Sequence, residues 1–213
     1  MKNFPASLLH GYTEFLDGRF AAEHERYHAL AEHGQTPKIM MVACSDSRAA
    51  PETIFNAGPS EIFVVRNVAN LVPERRPDGE DQSVSAALEF AVNHLKVEHI
   101  VVLGHARCGG ISAALALEAG PKNSGDFIGK WMQPLHPITQ AVLADTDIAP
   151  ADQQTALERE AIKCSLANLR GFPTIVELEQ AGKIHLHGSW FNIANGELWV
   201  LDPAIGDFAR ASR

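Results

Sequence analysis

The chain has 213 residues, 46% hydrophobic and 21% charged, which is enough apolar material for one sizeable core without disulfide staples. Its formal net charge is −8, from 18 basic and 26 acidic residues, which argues against a nucleic-acid partner. No stretch approaches the roughly 20 apolar residues of a membrane span, and Met1–Phe15 lacks the continuous apolar segment of a secretory signal, so neither membrane nor export is expected.

In chain order, Pro5–His33 carries a helical pattern that Gly34 stops and Pro37 keeps from resuming. Lys38–Ala43 (KIMMVA) is a short apolar run without alternation, the mark of a strand buried on both faces. Ile62–Val65 and His99–Leu103 are two more such runs, and Ile184–Leu186 and Leu198–Leu201 are weaker versions. Ser83–Leu95 sets Val84, Leu88, Ala91, Val92 and Leu95 on one helical face. Gly110–Glu118 reads as a helix after the third run, and Gly120–Gly129 as a loop. Ala151–Leu169 is a long helical pattern with Leu157, Ala161, Cys164 and Leu169 inward and charge pairs outward, ended by Gly171 and Pro173. The alternation predicts an α/β fold, a largely parallel central sheet flanked by helices, with an N-terminal helical arm. One domain is expected over 1–213, with the arm in 1–36 and the core and C-terminal helices in 37–213.

Two polar clusters follow two of the expected strands, Cys44-Ser45-Asp46-Ser47-Arg48 and Gly104-His105-Ala106-Arg107-Cys108-Gly109-Gly110. Ligands of open α/β sheets bind at the carboxyl ends of strands, so both clusters can meet in one crevice. Cys44, His105 and Cys108 then make a two-thiolate, one-imidazole set, the three protein ligands of a catalytic zinc with its fourth position open. A structural zinc would need a fourth Cys or His nearby, and neither cluster supplies one. Arg48 is placed to keep Asp46 ionised, and a fixed carboxylate beside the metal can orient a zinc-bound water or hydroxide. The sequence GHARCGG does not fit a dinucleotide fingerprint. Cys164 has no ligand-type neighbour at suitable spacing and reads as structural. Three cysteines make no disulfide framework, and reduced thiols point to a cytoplasmic setting.

CSDSR at 44–48, VVRNVANLV at 64–72 and GHARCGG at 104–110 together resemble the β-class carbonic anhydrases. The resemblance is strong from Gln35 to Gly110 and weaker through 160–169 and 187–201. It implies zinc held by Cys44, His105 and Cys108, with Asp46 and Arg48 as a catalytic dyad. The implied reaction is reversible hydration of carbon dioxide to bicarbonate and a proton by attack of zinc-bound hydroxide. It also implies a closed state in which Asp46 becomes the fourth zinc ligand. Gln35, Phe63, Val68, Phe90 and Gly109 fall at substrate-lining positions, with Phe90 standing where plant-type members carry a tyrosine. The lining is shared between subunits in the family, so a homodimer or homotetramer is implied. Met41, Arg66 and Phe191 fall where bicarbonate-regulated members carry Trp, Arg and Tyr. With the Arg alone retained, no regulatory site is expected, and an ion pair across the dimer is the role expected of Arg66.

Two rival readings use the same residues. One is hydrolysis of a related heteroallene, carbonyl sulfide or carbon disulfide; the other is a non-catalytic zinc- or bicarbonate-binding protein. The Asp46–Arg48 pair and Gln35 count against the second. A thiol phosphatase would need a longer phosphate-cradling loop than the three residues between Cys44 and Arg48.

Overall fold

The computed structural model describes residues 4–79, 82–119 and 127–212. Most of the expected loop at Gly120–Gly129 therefore lies outside the described residues. The chain divides into two compact units, residues 1–36 and 37–213.

The first unit is helical, with α1 (Ala6–Phe15) running through one further turn into α2 (His24–His33). Gly34 ends α2 at a φ of +78°, a backbone conformation that suits glycine. Phe15, Phe20 and Tyr27 cluster with ring centres 5.2 to 5.8 Å apart, yet no residue of α1 or α2 is buried.

The second unit is built on β1 (Ile39–Cys44), β2 (Ile62–Asn67), β3 (His99–His105), β4 (His185–Asn192), β5 (Glu197–Asp202) and β6 (Asp207–Arg210). They form one sheet in the order β2-β1-β3-β4-β5-β6. The pairs β1–β2, β1–β3 and β3–β4 are parallel, while β4–β5 and β5–β6 are antiparallel. The sheet is thus mixed, its central strands parallel as the apolar runs predict. Its helices are α3 (Pro51–Ile54), α4 (Ser83–Phe90), α5 (Gly109–Ala119), α6 (Ile128–Met132), α7 (His136–Ala144), α8 (Gln153–Leu169) and α9 (Pro173–Gln180). Among the described residues, none of the helices is long and apolar enough to cross a membrane.

The main core lies between α4, α8, α9 and one sheet face: Met40, Val42, Ile100 and Val102 meet Leu88, Ile162 and Ile175 there, all essentially out of water. Full burial of each such side chain contributes roughly 1.5–3 kcal/mol. Helix α8 comes close to the sheet because β3 and β4 leave room for it. A Cβ at Gly104 would stand 2.7 Å from Ile162 Cδ1, and one at Gly188 would stand 2.9 Å from Ile162 Cγ2. That approach also delivers the first turns of α8 to the end of β3, where the candidate site forms. A second cluster around Leu157, Ala161, Ile111 and Met132 closes the core behind it.

Candidate metal centre

Cys44 is the last residue of β1 and His105 the last of β3, so both close their strands instead of following them as the sequence pattern predicts. Ala43 pairs with Leu103, which sets the two strand ends side by side. Cys108 arrives from the turn into α5, where Arg107 adopts a left-handed φ of +54°. All three are buried, and one ligand atom from each lies within 4.8 Å of the others.

The geometry suits zinc. The Cys44 and Cys108 sulfurs are 3.8 Å apart. Two sulfurs bound at about 2.3 Å to one tetrahedral ion would also stand about 3.8 Å apart. The His105 Nδ1 lies 2.9 Å from the Ala106 carbonyl, a contact that fixes the proton there. Nε2 is then the lone-pair nitrogen, and it is buried with no hydrogen-bond partner. A buried imidazole nitrogen with no protein partner, set beside two sulfurs, fits a metal ligand set.

Electrostatics agree with the donor set. The neighbouring Cys108 thiol, against the opposing effect of burial, stabilises Cys44 as a thiolate and lowers its pKa, while the same contact raises that of Cys108. Burial disfavours a charged His105, but the Cys44 sulfur, the Ala106 carbonyl and Asp46 outweigh it and raise its pKa. An ion holding both thiolates would replace that shared-proton arrangement.

Asp46 sits at the mouth of the cluster, its Oδ2 3.9 Å from His105 Nε2. Arg48 donates to it three times: the amide to Oδ1 at 2.9 Å, Nε to Oδ1 at 3.0 Å and Nη2 to Oδ2 at 2.7 Å. These bonds hold the Asp46 carboxyl well below the usual carboxylate range. Arg48 Nη2 also donates to the Arg107 carbonyl at 3.3 Å, so one guanidinium spans both ligand loops.

Within its own chain Arg66 bonds the backbone beside the cluster. It donates from Nε to the Cys44 carbonyl at 2.8 Å and from Nη2 to the Asp46 carbonyl at 2.7 Å. The Asp46 carbonyl also accepts the Ala49 amide at 3.1 Å, and the two-donor fork of the guanidinium reaches both carbonyls at once. Met41 and Phe191 belong to a small cluster around Leu103 on that sheet face.

Of the substrate-lining positions, Val68 is 40% exposed next to the site, its carbonyl taking the Trp131 indole N–H at 2.8 Å. Gly109 has open space where a side chain would project, whereas a Cβ at Gly110 would stand 2.8 Å from Val68 Cγ1. Phe63 and Phe90 form a pair with ring centres 5.9 Å apart, and Phe90 is 46% exposed. The strand register matches Phe63 with Met40, four residues before Cys44, or about 13 Å along the strand. This pair is therefore not brought to the ligands of its own chain. Gln35 is exposed at the end of the first unit.

The sequence reading missed Glu158, one of the charges it placed outward on α8. Glu158 is 2% exposed. Its Oε1 accepts the Cys108 amide at 3.0 Å and the Gln154 side-chain amide at 3.1 Å, and its Oε2 accepts the Trp190 indole at 3.0 Å. Burial raises its pKa against those hydrogen bonds. The signal was its spacing: 158, 162, 165 and 169 fall on one stripe, whose other members Ile162, Ser165 and Leu169 are buried. Cys164, by contrast, is only half-buried and carries a free thiol.

A family profile described as "Carbonic anhydrase" matches residues 39–198. The chain is 36% identical over 197 residues to Beta carbonic anhydrase 3 of Arabidopsis thaliana, covering 90% of this chain and 75% of that protein. Among solved structures it is similar to the β-carbonic anhydrase CcaA, with a TM-score of 0.89 and 28% identity over 97% of this chain and 92% of that one. It is also similar to a tetrameric β-carbonic anhydrase of Sordaria macrospora, with a TM-score of 0.78 and 27% identity over 98% and 100% of the two chains.

Proposed function

Because the chain belongs to the β-class carbonic anhydrases and is therefore a lyase, we propose that it hydrates carbon dioxide reversibly at a zinc ion held by Cys44, His105 and Cys108. The observation that carries the reading is the three-donor cluster itself: two sulfurs 3.8 Å apart beside a buried, unpartnered His105 Nε2. Bound there, zinc supplies a water acidic enough to act as nucleophile near neutral pH, an effect for which carbonic anhydrases are themselves the usual illustration. Two thiolate donors give the ion more electron density than three imidazoles would, so hydration rises with pH.

Asp46 stays ionised because Arg48 saturates its outer side. Its Oδ2 lies 3.9 Å from His105 Nε2, where it would accept a hydrogen bond from a water at the ion and orient that oxygen. Arg48 acts as the latch. Released from it, Asp46 would be placed to join Cys44, His105 and Cys108 in holding the ion.

Val68 and Gly109 line this site, and Gln35, Phe63 and Phe90 complete the lining in an assembly of identical chains. The remoteness of Phe63 and Phe90 from their own chain's ligands supports that sharing. The unburied arm helices, with Phe4, Leu8 and Tyr12 more than half exposed, support a homo-oligomer as well. The thiols must stay reduced to serve, which suits the cytoplasm.

Zinc analysis combined with stopped-flow hydration of carbon dioxide across pH tests the proposal. One zinc per chain, turnover that rises with pH, and an Asp46→Asn variant that keeps zinc but loses turnover are expected. Zinc-loaded wild-type protein that does not hydrate carbon dioxide at any pH overturns it.

A further inference from the structure

At the opposite end of β3 from His105, three imidazoles gather outside the centre described above. His99 opens β3, and its register partner on β4 is His185. His187 follows two residues later, so it emerges from the same sheet face as His185. The ring centres of His99 and His187 are 5.3 Å apart, those of His99 and His185 are 5.4 Å apart and stacked, and those of His185 and His187 are 6.4 Å apart.

His99 Nδ1 and His187 Nε2 stand 3.2 Å from each other. Two imidazole nitrogens on one tetrahedral ion, at about 2.0–2.1 Å each, stand about 3.3–3.4 Å apart. The pair already has close to that spacing. His185 is exposed, and its nitrogens do not stand within 4.8 Å of both others, so a rotation about its side-chain torsions is required to bring a third nitrogen to the same point. Burial and the neighbouring His99 and His185 push the His187 pKa down, which leaves its ring neutral with a lone pair to donate. The nearby carboxylates have cationic partners, Glu98 with Lys38 at 2.6 Å and Glu179 with Arg170 at 2.7 Å, while His99 and His187 share one hydrogen bond, whose proton an ion between them would displace.

We propose that His99, His185 and His187 form a second metal site, an all-imidazole one for a divalent ion of the zinc, nickel or copper group. Two ligands at i and i+2 on one strand and a third opposite them on its neighbour make a tridentate set on a rigid frame. The exposed side is left to water. Six residue steps along β3 separate His99 from His105, about 20 Å, so the two centres share no ligand. The site does not depend on the function proposed above.

Equilibrium dialysis of zinc-loaded protein against Ni2+, with both metals counted, is the test. One Ni2+ per chain bound at micromolar concentration beside the retained zinc is expected. His187→Asn and the exposed His185→Asn should each weaken nickel at least tenfold while zinc stays at one per chain, which shows that the fold is intact. The arm's His24 and His28, with ring centres 6.4 Å apart, form a competing pair. Nickel lost in a His24→Asn/His28→Asn variant but kept in the other two overturns the proposal, as does wild-type protein that retains no nickel.

Discussion

Glu158 Oε1 accepts the backbone amide of Cys108 at 3.0 Å, joining the buried face of α8 to the Cys44–His105–Cys108 cluster. The carboxylate can do this at 2% exposure because the Trp190 indole and the Gln154 amide satisfy its remaining lone pairs. Replacing it with Gln turns one acceptor oxygen into a donor and leaves either the Cys108 amide or the Trp190 indole unmatched. Glu158→Gln should weaken zinc by roughly 10–100-fold, as loss of outer-shell partners does elsewhere. Competition with a chromogenic chelator measures it; affinity within twofold of wild type would make Glu158 a packing residue alone.

Arg66 holds the carbonyls of Cys44 and Asp46 with two charged hydrogen bonds. Arg66→Lys keeps the charge but loses the fork, so at best one of the two bonds survives. A loss of about 1.5–3 kcal/mol in unfolding free energy is expected, together with a fall in kcat/KM as the Cys44–Asp46 turn loosens. Urea denaturation and hydration kinetics on the same preparation check both. Unchanged values would show that the turn holds its shape unaided.

Arg48 sets the acid end of the stability profile. Its hydrogen bonds lower the Asp46 pKa, outweighing burial. Since the folded value lies below the unfolded value of about 3.9, the pairing stabilises the fold fully above that pH and loses its effect as pH falls toward the folded value. Metal-free wild type should therefore melt above Arg48→Ala by a constant margin from pH 8 to 5, and the margin should shrink below about pH 4. Melting temperatures followed by circular dichroism would refute this if the margin stayed constant to pH 2.5.

The adjacent glycines of the second motif should behave differently. A methyl at Gly110 would stand 2.8 Å from Val68 Cγ1 and 3.0 Å from Ala69 Cβ, and Ala69 sits in a backbone conformation with φ +67°. Gly110→Ala should cost about 1–3 kcal/mol. Gly109→Ala meets nothing within 4 Å and should leave stability within about 0.5 kcal/mol. Thermal unfolding of the two variants distinguishes them, and equal losses would contradict the difference in packing.

The parallel strands and the meeting of Cys44, His105 and Cys108 were legible in the sequence for local reasons. Short unbroken apolar runs have few uses besides strands covered on both faces, and metal-binding residue types directly beyond two of them point to one crevice. Short elements left weaker traces. Helices α3 and α6 and strand β6 span four or five residues each, too few for a period to show. How far Phe63 and Phe90 lie along the sheet from their own chain's cluster is set by strand register, which residue type alone does not carry.

By itself, the sequence determined the central strands, the residue types that meet at Cys44, His105 and Cys108, and the Asp46–Arg48 pairing. Those depend on residue type and short spacing, which the chain carries wherever it folds. The tertiary structure alone decided what holds the donors in place. Glu158 is 50 residues from Cys108 in sequence and Arg66 is 22 from Cys44. A charged side chain reads as solvated until a neighbouring element supplies the partners that make its burial tolerable, and only the packing of α8 on β3 and of β2 on β1 supplies them.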